Sequence, residues 1–239
     1  FLLTVLLFLP SLPPANAITN PIVTVLTDKQ TYYLRENVKI YGTLTNYSSP
    51  LSDGVVAVQV DDPYKPLLFR TKTTGANAKF EYGSIVKSLS LSDQFGNPQN
   101  VFYIPIPAPT ELFAYFNVTI DNVSPMTVTV TLTLYDSNMV CVSSTDFSAP
   151  PKTYMSSILR LPIYPWISTG IATVYVNVYS KPPKDGGYAL CPEESAIFEV
   201  VRGSPTGGGA AVTEAQTKAD AETNGTYECT LRLSCEPDT

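Results

Sequence analysis

The sequence contains no histidine. Histidine is the usual general base of serine and cysteine hydrolases and the commonest zinc ligand, so its absence excludes Ser-His-Asp and Cys-His catalysis and disfavours a zinc centre. Carboxylate chemistry stays open, but the chain has no phosphate-binding glycine loop and no nucleophile–base pair. We therefore expect a protein that is not an enzyme, with no catalytic residues, no cofactor and no bound metal.

Charge is also scarce. Charged residues make up 15% of the chain, against about 25% in ordinary soluble domains. The net charge is -6 and there are no runs of lysine or arginine, so neither nucleic acid nor an anionic membrane surface is an expected partner. After residue 17 no apolar stretch reaches the roughly 20 residues that a membrane span needs.

What the sequence does contain is alternation. Residues 113–138 read FAYFNVTIDNVSPMTVTVTLTLYDSN, two runs of period-two patterning separated by turn residues. Each run places its apolar side chains on one face: Ala114, Phe116, Val118 and Ile120 in the first, and Val128, Val130, Leu132 and Leu134 in the second. Similar segments recur at roughly ten-residue spacing. This predicts an all-β fold built of antiparallel β-sandwiches.

Turn and linker residues divide the chain. Residues 1–17 have an apolar run followed by Ala15-Asn16-Ala17, which is typical of a signal peptide that we expect to extend upstream of Phe1. A buried strand, or a retained segment used in assembly, is the alternative. We predict one sandwich at 18–83, a second at 84–202, a glycine-rich linker at 203–212 and an incomplete third module at 213–239. The predicted location is extracellular, at the cell surface.

Residues 28–42 read DKQTYYLRENVKIYG. This segment resembles the DKxxYxxGExVxIxG opening of macroglobulin-type Ig-like domains, with Arg35 in place of the usual glycine. The reactive C-G-E-Q thioester motif of the complement and macroglobulin proteins is absent. The resemblance therefore implies a structural module and not protease trapping.

The second module carries another resemblance. Its segments ELFAYFNVTIDN, VTLTLYDSN, PWISTGIATVYVNVYS and GYALCPEESAIFEV are similar to CARDB-like and fibronectin-III-like sandwiches, which occur as repeats in secreted archaeal surface proteins. The two resemblances together imply tandem Ig-like modules.

Modification sites are the next candidates. N-glycosylation sequons begin at Asn46, Asn117, Asn122 and Asn224, and Pro125 after Ser124 weakens the third of these. Of the cysteines, Cys229 and Cys235 lie about 20 Å apart in one extended strand and cannot bond to each other. Cys141 and Cys191 could form a disulfide, or could be two small buried apolar residues.

Several polar and aromatic residues have a functional and a structural interpretation. Adjacent carboxylates at Asp61 and Asp62, with Asp53, could bind calcium, but a solvated turn is favoured, and the same holds for Glu193-Glu194. Exposed aromatic side chains can bind a sugar or a partner, but packing within the sandwich is favoured for the three aromatic residues at issue, Trp166, Tyr175 and Tyr179.

The favoured hypothesis is a structural and adhesive module whose partners are other protein modules or surface glycans. A second hypothesis is self-assembly into a filament, in which a strand from residues 18–27, or from an uncleaved 1–10, completes a neighbour's sandwich. A third makes these domains the accessory part of a larger secreted enzyme.

Overall fold

The computed structural model describes residues 21–33, 36–62, 66–76, 78–203 and 225–232. These ranges hold β-strands and one short 3-10 turn at Pro183–Asp185, and no α-helix, which confirms the predicted all-β class. The strands are β1 (Pro21–Val23), β2 (Leu26–Thr27), β3 (Asn37–Asn46), β4 (Ser49–Pro50), β5 (Val55–Asp61), β6 (Pro66–Thr73), β7 (Val86–Ser92), β8 (Val101–Ile104), β9 (Leu112–Asn122), β10 (Val128–Tyr135), β11 (Cys141–Ala149), β12 (Thr153–Ile163), β13 (Gly170–Tyr179), β14 (Glu194–Arg202) and β15 (Thr226–Arg232).

Strands β7 to β14, here called the second unit, form a sandwich. One sheet has the order β12-β9-β7 and the other the order β11-β10-β13-β14-β8, antiparallel except where β14 and β8 run parallel. The two alternating runs that predict strands become β9 and β10, which lie in opposite sheets. Their predicted inward residues are 1% exposed or less and share one core. The period-two pattern therefore identified the buried faces correctly.

Strands β1 to β6 with β15, here called the first unit, surround a second core. Strand β3 pairs with three short strands that are close to it in sequence, β1, β2 and β4. Strands β5 and β6 form a separate hairpin that closes this core with Val56, Val58, Val60 and Leu68.

Strand β15 corrects one prediction. The sequence assigns it to an incomplete third module, but it pairs antiparallel with β3 from Thr226 opposite Thr43 to Arg232 opposite Asn37. Its inward residues Tyr227, Cys229 and Leu231 are buried in the core of the first unit. The reason is that β3 has an edge whose backbone groups need a partner. Strand β15 pairs with that edge, and its apolar residues extend the buried face of the sheet. The remaining domain boundaries stay predictions.

The β5–β6 hairpin also contacts the second unit. Residues 55 to 60 of β5 are all 5% exposed or less, so both faces of the strand are covered. Val55, Ala57 and Phe69 pack with Tyr179 and Ala189 of the second unit in a third, smaller cluster. Across the described ranges, no helix is long and apolar enough to cross a membrane.

Candidate functional site

A groove of about 950 Å³, lined by both polar and apolar groups, runs along the first unit. Strands β2, β3, β6 and β15 contribute most of its lining, including Asp28, Lys39, Tyr41, Thr43, Lys72 and Glu228. The strand periodicity explains the polarity, because Lys39, Tyr41 and Thr43 alternate with the buried Val38, Ile40 and Leu44 of β3. The groove can therefore offer hydroxyl, ammonium and carboxylate groups to a polar ligand.

Ion pairing organises this groove. Lys39 Nζ lies 2.7 Å from Glu228 Oε2 and joins β3 to β15. The hydrogen bond to Glu228 raises the pKa of Lys39. Asp28 accepts hydrogen bonds from the Tyr32 hydroxyl at 2.7 Å and from the Lys39 backbone N–H at 3.0 Å, which lower its pKa. Both side chains therefore keep their charge across the neutral range.

The segment that resembles a macroglobulin-type opening closes the loop between β2 and β3. Lys29 Nζ lies 3.1 Å from Glu36 Oε1, and the Tyr33 backbone N–H donates to Glu36 Oε2 at 3.1 Å. The Lys29 N–H donates in turn to the Tyr32 hydroxyl. These contacts hold the loop closed, and Arg35 lies outside the described residues.

A second polar cluster, here called the joint, connects the two units. The guanidinium of Arg70 on β6 contacts the carboxylate of Glu193 through Nε at 2.9 Å and through Nη2 at 2.8 Å. Both side chains are nearly buried, with 10% and 12% exposure. Burial alone lowers the pKa of Arg70, but the Glu193 carboxylate outweighs it and leaves the pKa above its ordinary value. The Arg70 guanidinium therefore stays charged although it is nearly buried.

The joint also satisfies the unpaired edge of β6. The Tyr135 hydroxyl donates to the Leu67 carbonyl at 3.1 Å and Asn177 Nδ2 donates to the Phe69 carbonyl at 3.2 Å. The next outward group, the Thr71 N–H, donates to Glu193 Oε2 at 3.2 Å. Side chains of the second unit thus satisfy backbone groups that an edge strand leaves unpaired.

Aromatic rings complete the joint. Tyr175 lies beneath Arg70, with 3.9 Å between the guanidinium carbon and the ring centroid, and burial raises the pKa of Tyr175. Phe69 packs on Tyr179 at 6.3 Å between centroids. The predicted outward stripe of Tyr175 and Tyr179 is therefore packing surface between units.

Sequence reasoning missed Arg70 and Glu193. It assigned Glu193-Glu194 to a polar loop, because nothing near Glu193 in the sequence indicates a cation. The available signal was the charge of Arg70 directly after the apolar run LLF of the same strand, since a charge at such a position needs a partner once buried. The identity of that partner depends on the tertiary structure.

The described sequons differ in accessibility. Asn122 is fully buried, and its amide nitrogen donates to the carbonyls of Met126, Ala149 and Pro150 at 2.7 to 3.0 Å. It cannot carry a glycan in this fold. Asn117 is partly buried and donates to the Gly96 carbonyl at 2.8 Å.

Of the other two sequons, one lies within the described residues. Asn46 lies at the end of β3 and is partly exposed beside an exposed turn. Asn224 lies outside the described residues. Glycosylation at these two positions stays a prediction.

The candidate disulfide between Cys141 and Cys191 is not formed. Cys191 is a buried free thiol in the core of the second unit, whereas Cys141 packs in the core of the first unit. The two residues are kept apart because β11 begins at the joint and its first residue faces the other core. Burial raises the pKa of Cys191 to about 11.

The remaining candidates are structural. Asp61 accepts two hydrogen bonds from Gln59 Nε2, at 2.8 and 2.9 Å, and the described ranges contain no cluster of three or more residues that could hold a metal ion. Trp166 stacks on Tyr164 with 5.3 Å between ring centroids and an interplanar angle of 3°. Arg202 holds their loop by donating to the carbonyls of Pro165 and Ile167.

Comparison with known proteins gives little to set beside this geometry. No family model and no curated protein matches the chain. Among solved structures, the dimeric latent PorU of Porphyromonas gingivalis is similar over 78% of this chain and 20% of its own, at 10% identity and a TM-score of 0.29. The chain thus spans a fifth of that protein's length.

Proposed function

We propose that this chain is a non-enzymatic structural module of a secreted cell-surface protein, in which the two units act together as a stiff spacer. The observation that carries the proposal is the buried joint. If the units moved apart, the Arg70–Glu193 pair, the three side-chain hydrogen bonds to the β6 backbone and the apolar contacts of the β5–β6 hairpin would all be lost together. Domain contacts that permit motion are typically small and polar, whereas this contact also buries an apolar cluster made of Val55, Ala57, Phe69, Tyr179 and Ala189.

Nuclear magnetic relaxation of backbone amides tests the spacer directly. We expect the two units of the unaltered chain to report one rotational correlation time. Glu193→Gln should give each unit its own, shorter correlation time because the joint loses its charge pair. Lys39→Met removes an exposed ion pair of the first unit and serves as the control, which should leave one correlation time. Independent tumbling of the unaltered units would overturn the proposal.

The groove supports an adhesive role for the same module. Its hydroxyl-rich lining and its paired charges suit a surface glycan or a polar segment of another protein module. A glycan array and a pull-down from surface extracts would test this. Tyr41→Ala, within the groove, should lose the signal, whereas Tyr33→Ala, 76% exposed outside it, should keep it. Equal signals from both variants would argue against the groove.

The two alternatives rank lower. For filament assembly from residues 18–27, the donor would have to leave its own chain, where β1 and β2 pair with β3. For the third hypothesis, an accessory part of a larger secreted enzyme, no feature of the described residues gives specific support. The spacer proposal therefore ranks first, because the residues of the joint support it.

A further inference from the structure

Strand β12 is a long edge strand with little protection. It covers Thr153–Ile163 and, among the described residues, it pairs along one edge only, with β9. Natural proteins usually protect such an edge with lysine, proline, a bulge or a covering loop. From Thr153 to Leu161 the strand has no proline, glycine or lysine, and Arg160 is its one charge. An edge of this kind is suited to adding another strand.

The neighbouring strand shows which backbone groups of β12 point outward. The Asp121 N–H of β9 donates to the Ile85 carbonyl, on the β7 side. The backbone N–H and C=O groups of odd-numbered residues of β9 therefore point to β7, and those of even-numbered residues point to β12. The register pairs Val118 with Ser157 and Phe116 with Leu159. Odd-numbered residues of β12 therefore bond to β9, and even-numbered residues 154 to 160 present N–H and C=O groups at the open edge.

The same even-numbered residues have exposed side chains. Tyr154 is 70% exposed and Ile158 is 44% exposed. Phe95, 77% exposed, lies on a turn that folds over the sheet beside Ile158, where the Asn117 side chain holds the Gly96 carbonyl. Ile158 packs so closely on Gly96 that a Cβ there would lie 3.0 Å from Ile158 Cδ1. Ile158 is thus an exposed apolar side chain next to the open edge, in contact with the turn that carries Phe95.

We propose that β12 pairs antiparallel with β12 of a second copy of this chain, about a two-fold axis at Ile158. In this register each Tyr154 faces the partner's Pro162, each Ser156 faces the partner's Arg160, and the two Ile158 side chains meet at the axis. The apolar residues at the axis gain apolar neighbours, and no like charges face each other. Arg160 is held in place by stacking on Phe113 at 4.7 Å.

Self-complementarity is the reason to choose a second copy as the occupant. A two-fold axis at Ile158 matches the strand to itself with no like charges opposite each other, and the exposed Ile158 side chains of both copies meet at the axis. The exposed backbone groups of residues 156 to 160 also meet their counterparts. The interface would join the three-stranded sheets of two copies into one continuous sheet.

Light scattering across a concentration series tests the pairing and its register. The unaltered chain should be dimeric at high concentration, and Ile158→Lys should be monomeric because two ammonium groups would meet at the axis. Ser156→Glu, opposite the partner's Arg160, should tighten the dimer and Ser156→Lys should weaken it, each by about 1.5- to 5-fold per pair. Circular dichroism checks that every variant is folded.

Cross-linking gives an independent readout. Ile158→Cys should join two copies through a short bifunctional maleimide. Tyr154→Cys should not, because the two Cys side chains would be about 27 Å apart in this register. The unaltered chain, with its native cysteines, is the background control. A monomer at all concentrations, a dimer insensitive to Ile158→Lys, or equal cross-linking at both positions would overturn the proposal.

Discussion

At the scale of single residues, Arg70 and Glu193 differ from every other ion pair described. Their bonds are bidentate and nearly buried, whereas Lys39 and Glu228 are 47% and 44% exposed. When a buried pair loses one member, the remaining charge has neither a partner nor water. When an exposed pair loses one member, the remaining charge is hydrated. The two pairs should therefore respond very differently to truncation.

We expect Glu193→Gln or Arg70→Met to destabilise the chain by about 3 to 5 kcal/mol, part of it from the lost contact of Arg70 with Tyr175. Lys39→Met should cost no more than about 1 kcal/mol. Urea unfolding followed by Trp166 fluorescence measures both. Similar losses for the two pairs would mean that the joint is solvated.

Cys191 should be chemically inert in the folded protein. Its side chain is 1% exposed, and burial raises its pKa from 9.0 to about 11. The thiolate is the reactive form, so its population near neutral pH falls by roughly 100-fold. Iodoacetamide should leave Cys191 unmodified in the native chain and modify it after unfolding in guanidinium, as site-resolved mass spectrometry would show. Rapid native modification would contradict its burial.

At the scale of elements, β3 is the central strand of the first unit, because strands from both ends of the described chain pair with it. Gly42 permits that arrangement. A Cβ at this position would lie 1.8 Å from the Thr24 carbonyl oxygen and 2.7 Å from the Tyr227 hydroxyl, which donates to the same carbonyl at 2.8 Å. The close approach of β3, β15 and the connection between β1 and β2 therefore requires glycine.

We expect Gly42→Ala to destabilise the first unit by about 1 to 3 kcal/mol, the usual cost of overpacking. Gly83→Ala is the matched control, because nothing lies within 4 Å of its added Cβ, and it should change stability little or raise it slightly. Denaturant midpoints compare the two. If both substitutions had the same small effect, β1, β3 and β15 would not approach as closely as described.

At the scale of the whole molecule, the first unit is assembled from two distant parts of the chain. Strand β15 covers β3 and buries Tyr227, Cys229 and Leu231 in the same core as Ile40 and Leu44. A chain that ends at residue 203 would expose this core and the edge of β3. The second unit has its own core and meets β15 near Met139, whose carbonyl accepts a hydrogen bond from the Arg232 N–H at 3.1 Å.

We therefore expect truncation after residue 203 to abolish hydrogen-exchange protection along β3 and to leave β9 and β10 protected. A chain that ends at residue 232 keeps β15 and is the control, with protection on both units. If β3 stayed protected without β15, residues 225 to 232 would be an appendage, as the prediction of a separate third module implies.

The sequence by itself determined the strands and their buried faces. Alternation in β9 and β10 identified the residues that face the core of the second unit, because side chains in a strand point to opposite faces in turn. It also excluded histidine-dependent chemistry outright. These properties are local, so a short segment is enough to specify them.

The tertiary structure alone decided which strands and charges are partners. It paired β15 with β3, brought Glu193 to Arg70, buried Asn122 within a sequon and put Cys141 and Cys191 into different cores. Partners of this kind are far apart in sequence, and their pairing depends on the packing of the whole chain. Alternation shows that a face is buried, but it contains no information about what covers that face.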